Sequence, residues 1–198
     1  MELVFVSHAT TKQNEQSIHQ GWNIQGDLSE KGRLEIELLS YSLKNEKFDY
    51  AVISPLKRCY DTYLAIKKFH PYLKFEKNDG IRSKKSGIYE GKRRDLVNNI
   101  LKKENIPIYK FKPSGGESTI ELQKRIFDFL ENYVVKLSLE KILLVSHGGV
   151  ITTIGLYIYN YPFEKYEDIK ISKASITRIN YQNNKFEIKD WNNTNHLN

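Results

Sequence analysis

The sequence holds one cysteine, Cys59, so no intrachain disulfide can form. No run approaches the roughly 18 to 20 unbroken apolar residues that a membrane-spanning helix needs. The stretch from Met1 to Val6 is too short for a secretory leader and lacks a basic start. These absences point to a cytoplasmic chain with no membrane partner. Paired histidines at His-x-His or His-x3-His spacing are missing, and no carboxylate lies close in sequence to His8 or His147. A metal site is therefore disfavoured. No stretch rich in glycine, proline or serine separates two halves, and no repeat of about 20 to 50 residues is present. Residues 1–198 read as a single domain.

What is present is an excess of positive charge, +7 in total. It favours anionic partners. No recognised nucleic-acid motif accompanies it, and aromatics are not interleaved with the basic residues, so nucleic acid is disfavoured. Phosphate esters and acidic proteins stay open, and composition alone does not choose between them. The oligomeric state is not legible.

Short apolar runs at residues 3–6, 50–53 and 141–146 predict buried strands, with a third in chain order at 72–75. Leu34, Leu38, Leu39 and Leu43 have helical spacing behind a Ser29 cap. Ser54-Pro55 predicts a helix start whose apolar face is Leu56, Cys59, Tyr60, Tyr63 and Leu64. That places Cys59 on a packing stripe, as core rather than nucleophile. Helices are also predicted at 117–135 and 150–159, and a hairpin at 175–189 around Gln182-Asn183-Asn184. The tail after Trp191 reads as frayed. Residues 80–115, basic and with few periodic signals, read as a partly helical lid. The alternation predicts an α/β fold, a three-layer α/β/α arrangement with a mostly parallel central sheet and the C-terminal hairpin at its edge.

One short echo carries chemistry. Phe5-Val6-Ser7-His8 and Leu144-Val145-Ser146-His147 share a form: apolar strand, serine, histidine. Each histidine falls just past the C-terminal end of a strand, the edge where open α/β sheets bind ligands. Gly148-Gly149 then opens a helix, whose N-terminal N–H groups suit an anion. Arg58, past a third strand end, is a planar fork donor for phosphate oxygens. Together they predict a phosphate pocket with a nucleophile. His19, His70 and His196 read as structural.

These pieces resemble the histidine phosphatase superfamily, which includes the cofactor-dependent phosphoglycerate mutases. The family opens on Arg-His-Gly-x-Thr-x-x-Asn, and here the run is Ser7-His8-Ala9-Thr10-Thr11-Lys12-Gln13-Asn14. Gln25-Gly26, Leu28-Ser29 and Gly32 look like its next segment. Ser54-Pro55-Leu56-Lys57-Arg58-Cys59-Tyr60-Asp61-Thr62 matches Ser-Pro-Leu-x-Arg-x-x-x-Thr. Gly87-Ile88-Tyr89-Glu90-Gly91 resembles Gly-x-Trp-Glu-Gly. Gly115-Gly116-Glu117-Ser118, with Arg125 beyond it, and Val145-Ser146-His147-Gly148-Gly149 are intact. The resemblance implies that His8 forms a phosphohistidine while Arg58 and His147 hold the phosphoryl oxygens of a small phosphorylated substrate, with no metal or organic cofactor required. Ser7, Thr11, Asn14 and Gly148 would line the phosphate pocket.

Two departures stand against these matches. The family arginine before the nucleophile is Ser7, and the proton-donating glutamate falls at Ser83, a very poor general acid. Ala9 replaces a glycine. Glu90 or Glu117 is the expected substitute for the missing acid. The run Arg82, Lys84, Lys85, Lys92, Arg93 and Arg94 is a candidate for the missing charge, which would suit a polyanionic substrate. The expectation is a weakened phosphomonoesterase. The alternatives are an inactive protein that binds a phosphorylated ligand and, less favoured, a phosphoglycerate mutase.

Overall fold

A computed structural model describes residues 1–198. In chain order the elements are β1 (Glu2–Ser7), α1 (Lys12–Glu15), α2 (Glu30–Ser42), β2 (Tyr50–Ile53), α3 (Lys57–Lys67), β3 (Phe75–Lys77), α4 (Arg94–Lys103), α5 (Thr119–Phe129), β4 (Lys141–Ser146), α6 (Gly148–Ile158), β5 (Ile176–Gln182) and β6 (Lys185–Asn193). They build one six-stranded sheet in the order β3-β2-β4-β1-β5-β6. The four strands from β3 to β1 are parallel, and the β5–β6 hairpin closes one edge antiparallel to β1. No helix is long and apolar enough to cross a membrane.

The central strands β1, β2 and β4 are apolar along most of their length because both sheet faces are covered there. Alternation sends Leu3, Phe5, Val52, Ile142 and Leu144 into a cluster with Leu122 and Ile126 of α5 and Ile151 and Ile154 of α6. It sends Val4, Val6, Ala51, Ile53, Leu143 and Val145 into a second cluster with Leu39 of α2 and Cys59, Tyr63 and Ile66 of α3. The three layers follow from this period of two. Past α5 the chain continues as one wide helical turn, Leu130–Val134, which keeps Leu130 and Val134 in the first cluster.

Several expectations shift. Leu34 is 63% exposed and Leu38 also faces outward, because α2 turns Gly32, Glu35 and Leu39 inward instead. Ser29 does cap α2, accepting from the Gly32 N–H at 3.2 Å. Leu64 is exposed. The third strand is Phe75–Lys77 rather than 72–75, and Tyr72 is 95% exposed. Ser54 does not cap α3, whose first residue is Lys57; its hydroxyl serves the site described below. The tail is not frayed. β6 runs to Asn193, Leu197 packs on the second cluster, and His196 Nε2 lies 2.9 Å from the Ala174 carbonyl.

Gly32 shows why a small residue is needed on α2. A Cβ there would collide with the Thr10 backbone, two residues past His8. Gly32→Ala is expected to cost about 1–3 kcal/mol of stability through overpacking, measured by urea denaturation. An unchanged midpoint would mean that the 8–11 segment gives way freely.

Candidate active site

His8 and His147 each stand one residue past a strand end, and the strands are neighbours. Ser7 and Ser146 are register partners, and the His8 N–H donates to the Ser146 carbonyl at 2.9 Å. The rings meet edge to face, 5.2 Å between centroids. Both histidines follow the alternation that points Val6 and Val145 toward α3. Ser7 and Ser146 therefore turn to the opposite layer. The Ser146 hydroxyl donates to the Ile81 carbonyl at 2.8 Å, while the Ser7 hydroxyl is buried with no partner.

The hydrogen bonds decide the tautomers. His8 Nδ1 lies 2.8 Å from the Ala9 carbonyl, which can only accept, so Nδ1 carries the hydrogen and Nε2 the lone pair. That is the form a nucleophile needs. Arg58 Nε donates to His147 Nδ1 at 3.3 Å, leaving the His147 Nε2–H to donate to Ser54 Oγ at 2.8 Å. Burial, then the nearby charges of Lys173 and Arg58, hold His8 well below the usual histidine pKa. Burial, then Arg58, does the same for His147. Both rings are neutral at physiological pH.

Arg58 is only 1% exposed. Besides His147 it donates to the carbonyls of Ile24 at 3.2 Å and Gly21 at 3.0 Å. Three of its five N–H bonds are thus engaged, and two remain for a ligand. Cys59 Sγ lies 3.4 Å from His147 Nε2, and burial pushes its thiol up to about 12. It is inert core, as expected. α6 starts at Gly148 with no side-chain cap, so its first N–H groups are left for an anion.

Two loops are zipped together to wall the site. The Gly91 N–H donates to the His19 carbonyl at 2.8 Å, the His19 N–H to Lys92 at 2.9 Å, and the Arg94 N–H to Ser17 at 2.8 Å. Glu90 clamps them, accepting from the N–H groups of Trp22 at 3.0 Å, Asn23 at 2.8 Å and Ser86 at 3.2 Å. Glu117 accepts from the Lys85 N–H at 2.9 Å and pairs with Arg125 at 2.6 Å. Both carboxylates offered as substitute acids are engaged as acceptors in the wall. The Ser83 carbonyl accepts from Trp22 Nε1 at 2.6 Å. Thr11 and Asn14 are engaged with each other: the Asn14 N–H donates to Thr11 Oγ1 at 3.1 Å and the Thr11 N–H to Asn14 Oδ1 at 3.1 Å.

The basic run divides. Arg82 pairs with Asp79 and Arg93 with Asp95, while Lys84 donates to Thr119 Oγ1 at 3.2 Å. Arg94, at the start of α4, is the member whose charge is felt at His8, Arg58 and Lys173. His19, read as structural, lines the same wall with its Nε2 buried and unpartnered, and burial lowers its pKa to about 4.

Two residues that matter were not visible in the sequence. Glu35 accepts from the Thr10 N–H at 2.7 Å and its hydroxyl at 2.9 Å, pinning the chain after His8. Lys173 places its ammonium group 3.3 Å from His8 Nε2. It is one of 31 basic residues and belongs to no motif. Only the strand register brings it there.

Because both histidines are neutral when folded and basic when unfolded, stability tied to them is present above about pH 6.5 and declines as pH falls below it. Ring resonances of His8 and His147 followed by NMR are expected to show no titration near 6.5. A His8 midpoint at the usual value would contradict the burial described.

The family model described as histidine phosphatase superfamily (branch 1) matches residues 3–194. The metal-independent phosphoserine phosphatase of Arabidopsis thaliana is 30% identical, over 99% of this chain and 83% of that protein. Phosphoserine phosphatase 1 of Hydrogenobacter thermophilus is 28% identical, over 100% of this chain and 94% of its own length. Among solved structures, Bacillus stearothermophilus YhfR superposes with a TM-score of 0.90 at 21% identity, covering 100% of this chain and 99% of that one. A mycobacterial glucosyl-3-phosphoglycerate phosphatase in complex with VO3 superposes at 0.83 and 22% identity, covering 98% and 99%. At these identities the superpositions establish the fold.

Proposed function

This chain belongs to the histidine phosphatase superfamily, branch 1, as a phosphatase, and from that premise we propose that it hydrolyses small phosphate monoesters through a phosphohistidine on His8. The observation that carries the proposal is the His8 ring itself. Its Nδ1–H is anchored on the Ala9 carbonyl, so the lone pair on Nε2 is presented at the sheet edge. A ring held neutral by burial needs no base to activate it.

In the proposed reaction, His8 Nε2 attacks phosphorus in line with the leaving oxygen. The N–P bond forms as the P–O bond breaks, and the Ala9 carbonyl supports the imidazolium that results. The free N–H groups of Arg58 and the first turn of α6 hold the phosphoryl oxygens, where negative charge concentrates. His147 keeps Arg58 in place through its Nδ1. Water then attacks phosphorus, cleaves the N–P bond and releases phosphate.

No side chain has emerged as a proton donor. Ser83 cannot act as one at neutral pH, and Glu90 and Glu117 accept hydrogen bonds within the wall. The leaving oxygen must take its proton from water or depart as an anion. Esters with good leaving groups, aryl and acyl phosphates, are therefore the favoured class. We read residues 80–115 as the lid over this pocket. Arg94, whose charge is felt at His8, supports a substrate bearing a second anionic group.

The test is turnover of para-nitrophenyl phosphate beside an alkyl phosphate, by the wild type and by His8→Ala. The aryl ester is expected to turn over faster, and His8→Ala to lose at least about 10³-fold. Activity that survives His8→Ala would remove His8 as the nucleophile. Faster turnover of the alkyl ester would show that some group does protonate the leaving oxygen.

A further inference from the structure

Resting on the reading of His8 as nucleophile, we propose that Lys173 is the second cation of the phosphoryl pocket, holding an equatorial phosphoryl oxygen while His8 attacks. It would stand in for the guanidinium that is absent at Ser7. Its ammonium group is the one cationic side chain in hydrogen-bond contact with the attacking atom, 3.3 Å from His8 Nε2. Because Nε2 carries the lone pair, Lys173 donates and the ring accepts.

The chain is built to hold it there. β5 pairs antiparallel with β1, Val6 opposite Ile176. The pairing extends backwards past the strand: the Ser7 N–H donates to the Ser175 carbonyl at 3.1 Å, and the Ala174 N–H to the His8 carbonyl at 3.4 Å. Ala174 has φ of +50°, a left-handed conformation that a residue with a Cβ adopts rarely. That kink takes Lys173 out of strand alternation. Ala174 is fully buried, and its carbonyl lies 2.9 Å from His196 Nε2, so the docked tail locks the kink.

The geometry also separates two roles. In an in-line displacement the leaving oxygen is on the far side of phosphorus from Nε2. A cation resting on Nε2 reaches the oxygens between, not the leaving one. Lys173 therefore answers the missing charge and leaves the missing acid unanswered. When phosphate enters, the Nζ–H bond passes from Nε2 to a phosphoryl oxygen, which frees the lone pair. Lys173 keeps its proton throughout the step; the leaving oxygen takes one from water or leaves as the phenolate.

The groups facing Lys173 are His8 beyond β1, His147 beyond β4, Glu35 on α2, Arg58 and Cys59 on α3, and Arg94 on α4. Burial, then Arg94 and Arg58, lowers its pKa to about 7. The amine is charged below that value and neutral above it. In the free enzyme, kcat/KM should therefore fall as pH rises through about 7.

The test compares wild type, Lys173→Met and Lys173→Arg on para-nitrophenyl phosphate across pH, with calorimetric binding of inorganic phosphate alongside. Lys173→Met is expected to lose about 10² to 10³-fold in kcat/KM, the scale of one preorganised donor, to lose the alkaline limb, and to bind phosphate more weakly. Lys173→Arg is expected to keep most of the rate and carry the limb to higher pH. A Lys173→Met enzyme with wild-type rate, or with reduced rate and an unchanged limb, would overturn the proposal. If the wild type turns nothing over, the phosphatase reading fails, yet weaker phosphate binding by Lys173→Met still upholds Lys173 as the pocket cation. Equal phosphate binding by both would overturn it.

Discussion

The in-register parallel pairing of β1 with β4 is the constraint on which the rest depends. It sets Ser7 opposite Ser146 and so brings two histidines, 139 positions apart in sequence, to a ring separation of 5.2 Å. A slip of one residue would turn one histidine to the other face of the sheet. The register is secured by burial on both sides, since each strand residue from Leu3 to Val6 and from Ile142 to Val145 lies in one of two cores. β2 joins the same edge through Ile53 and Val145, and α3 follows it, carrying Arg58 beneath His147. Function is thus a consequence of packing that does not itself touch a ligand.

The electrostatics of the edge are one-sided. Arg58, Lys173 and Arg94 converge on two neutral rings, and the nearby carboxylates Glu35, Glu90 and Glu117 face backbone N–H groups or Arg125. Arg58 is the buried member of this set, and Arg94 and Lys173 add to a positive potential that favours an anion at the edge. A phosphate dianion is the kind of ligand that such a field would draw. Burial is the first cause of the neutral histidines, and the same field adds to it, since a proton on either ring would place one more charge among the others.

Much of this was legible because the motifs sit where local chemistry is strict. Strand-serine-histidine, repeated, announces a paired edge; Gly148-Gly149 announces a helix start that an anion can approach. The three-layer fold followed from wholly apolar strands alternating with helices. What stayed hidden depends on long-range register. Lys173 looks like any surface lysine until β5 is aligned with β1. Glu90 and Glu117 look like candidate acids until the N–H groups of Trp22, Asn23, Ser86 and Lys85 are seen to converge on them. Ser54 looked like a helix cap, but the stronger partner for its hydroxyl is a histidine 93 positions away. On α2 and its end, Leu39 and Leu43 of the leucine spacing are buried, while Leu34 and Leu38 yield the inner face to Glu35 and to Gly32, which meets the Thr10 backbone.

The central claim is that His8 takes the phosphoryl group covalently. The direct measurement is to mix the protein with a radiolabelled acyl or aryl phosphate, quench in base, digest, and locate the label by mass spectrometry. A phosphoryl group on the peptide containing His8, stable to base and lost in acid, is the expected result. Turnover with no labelled peptide, or label on another side chain, would contradict it.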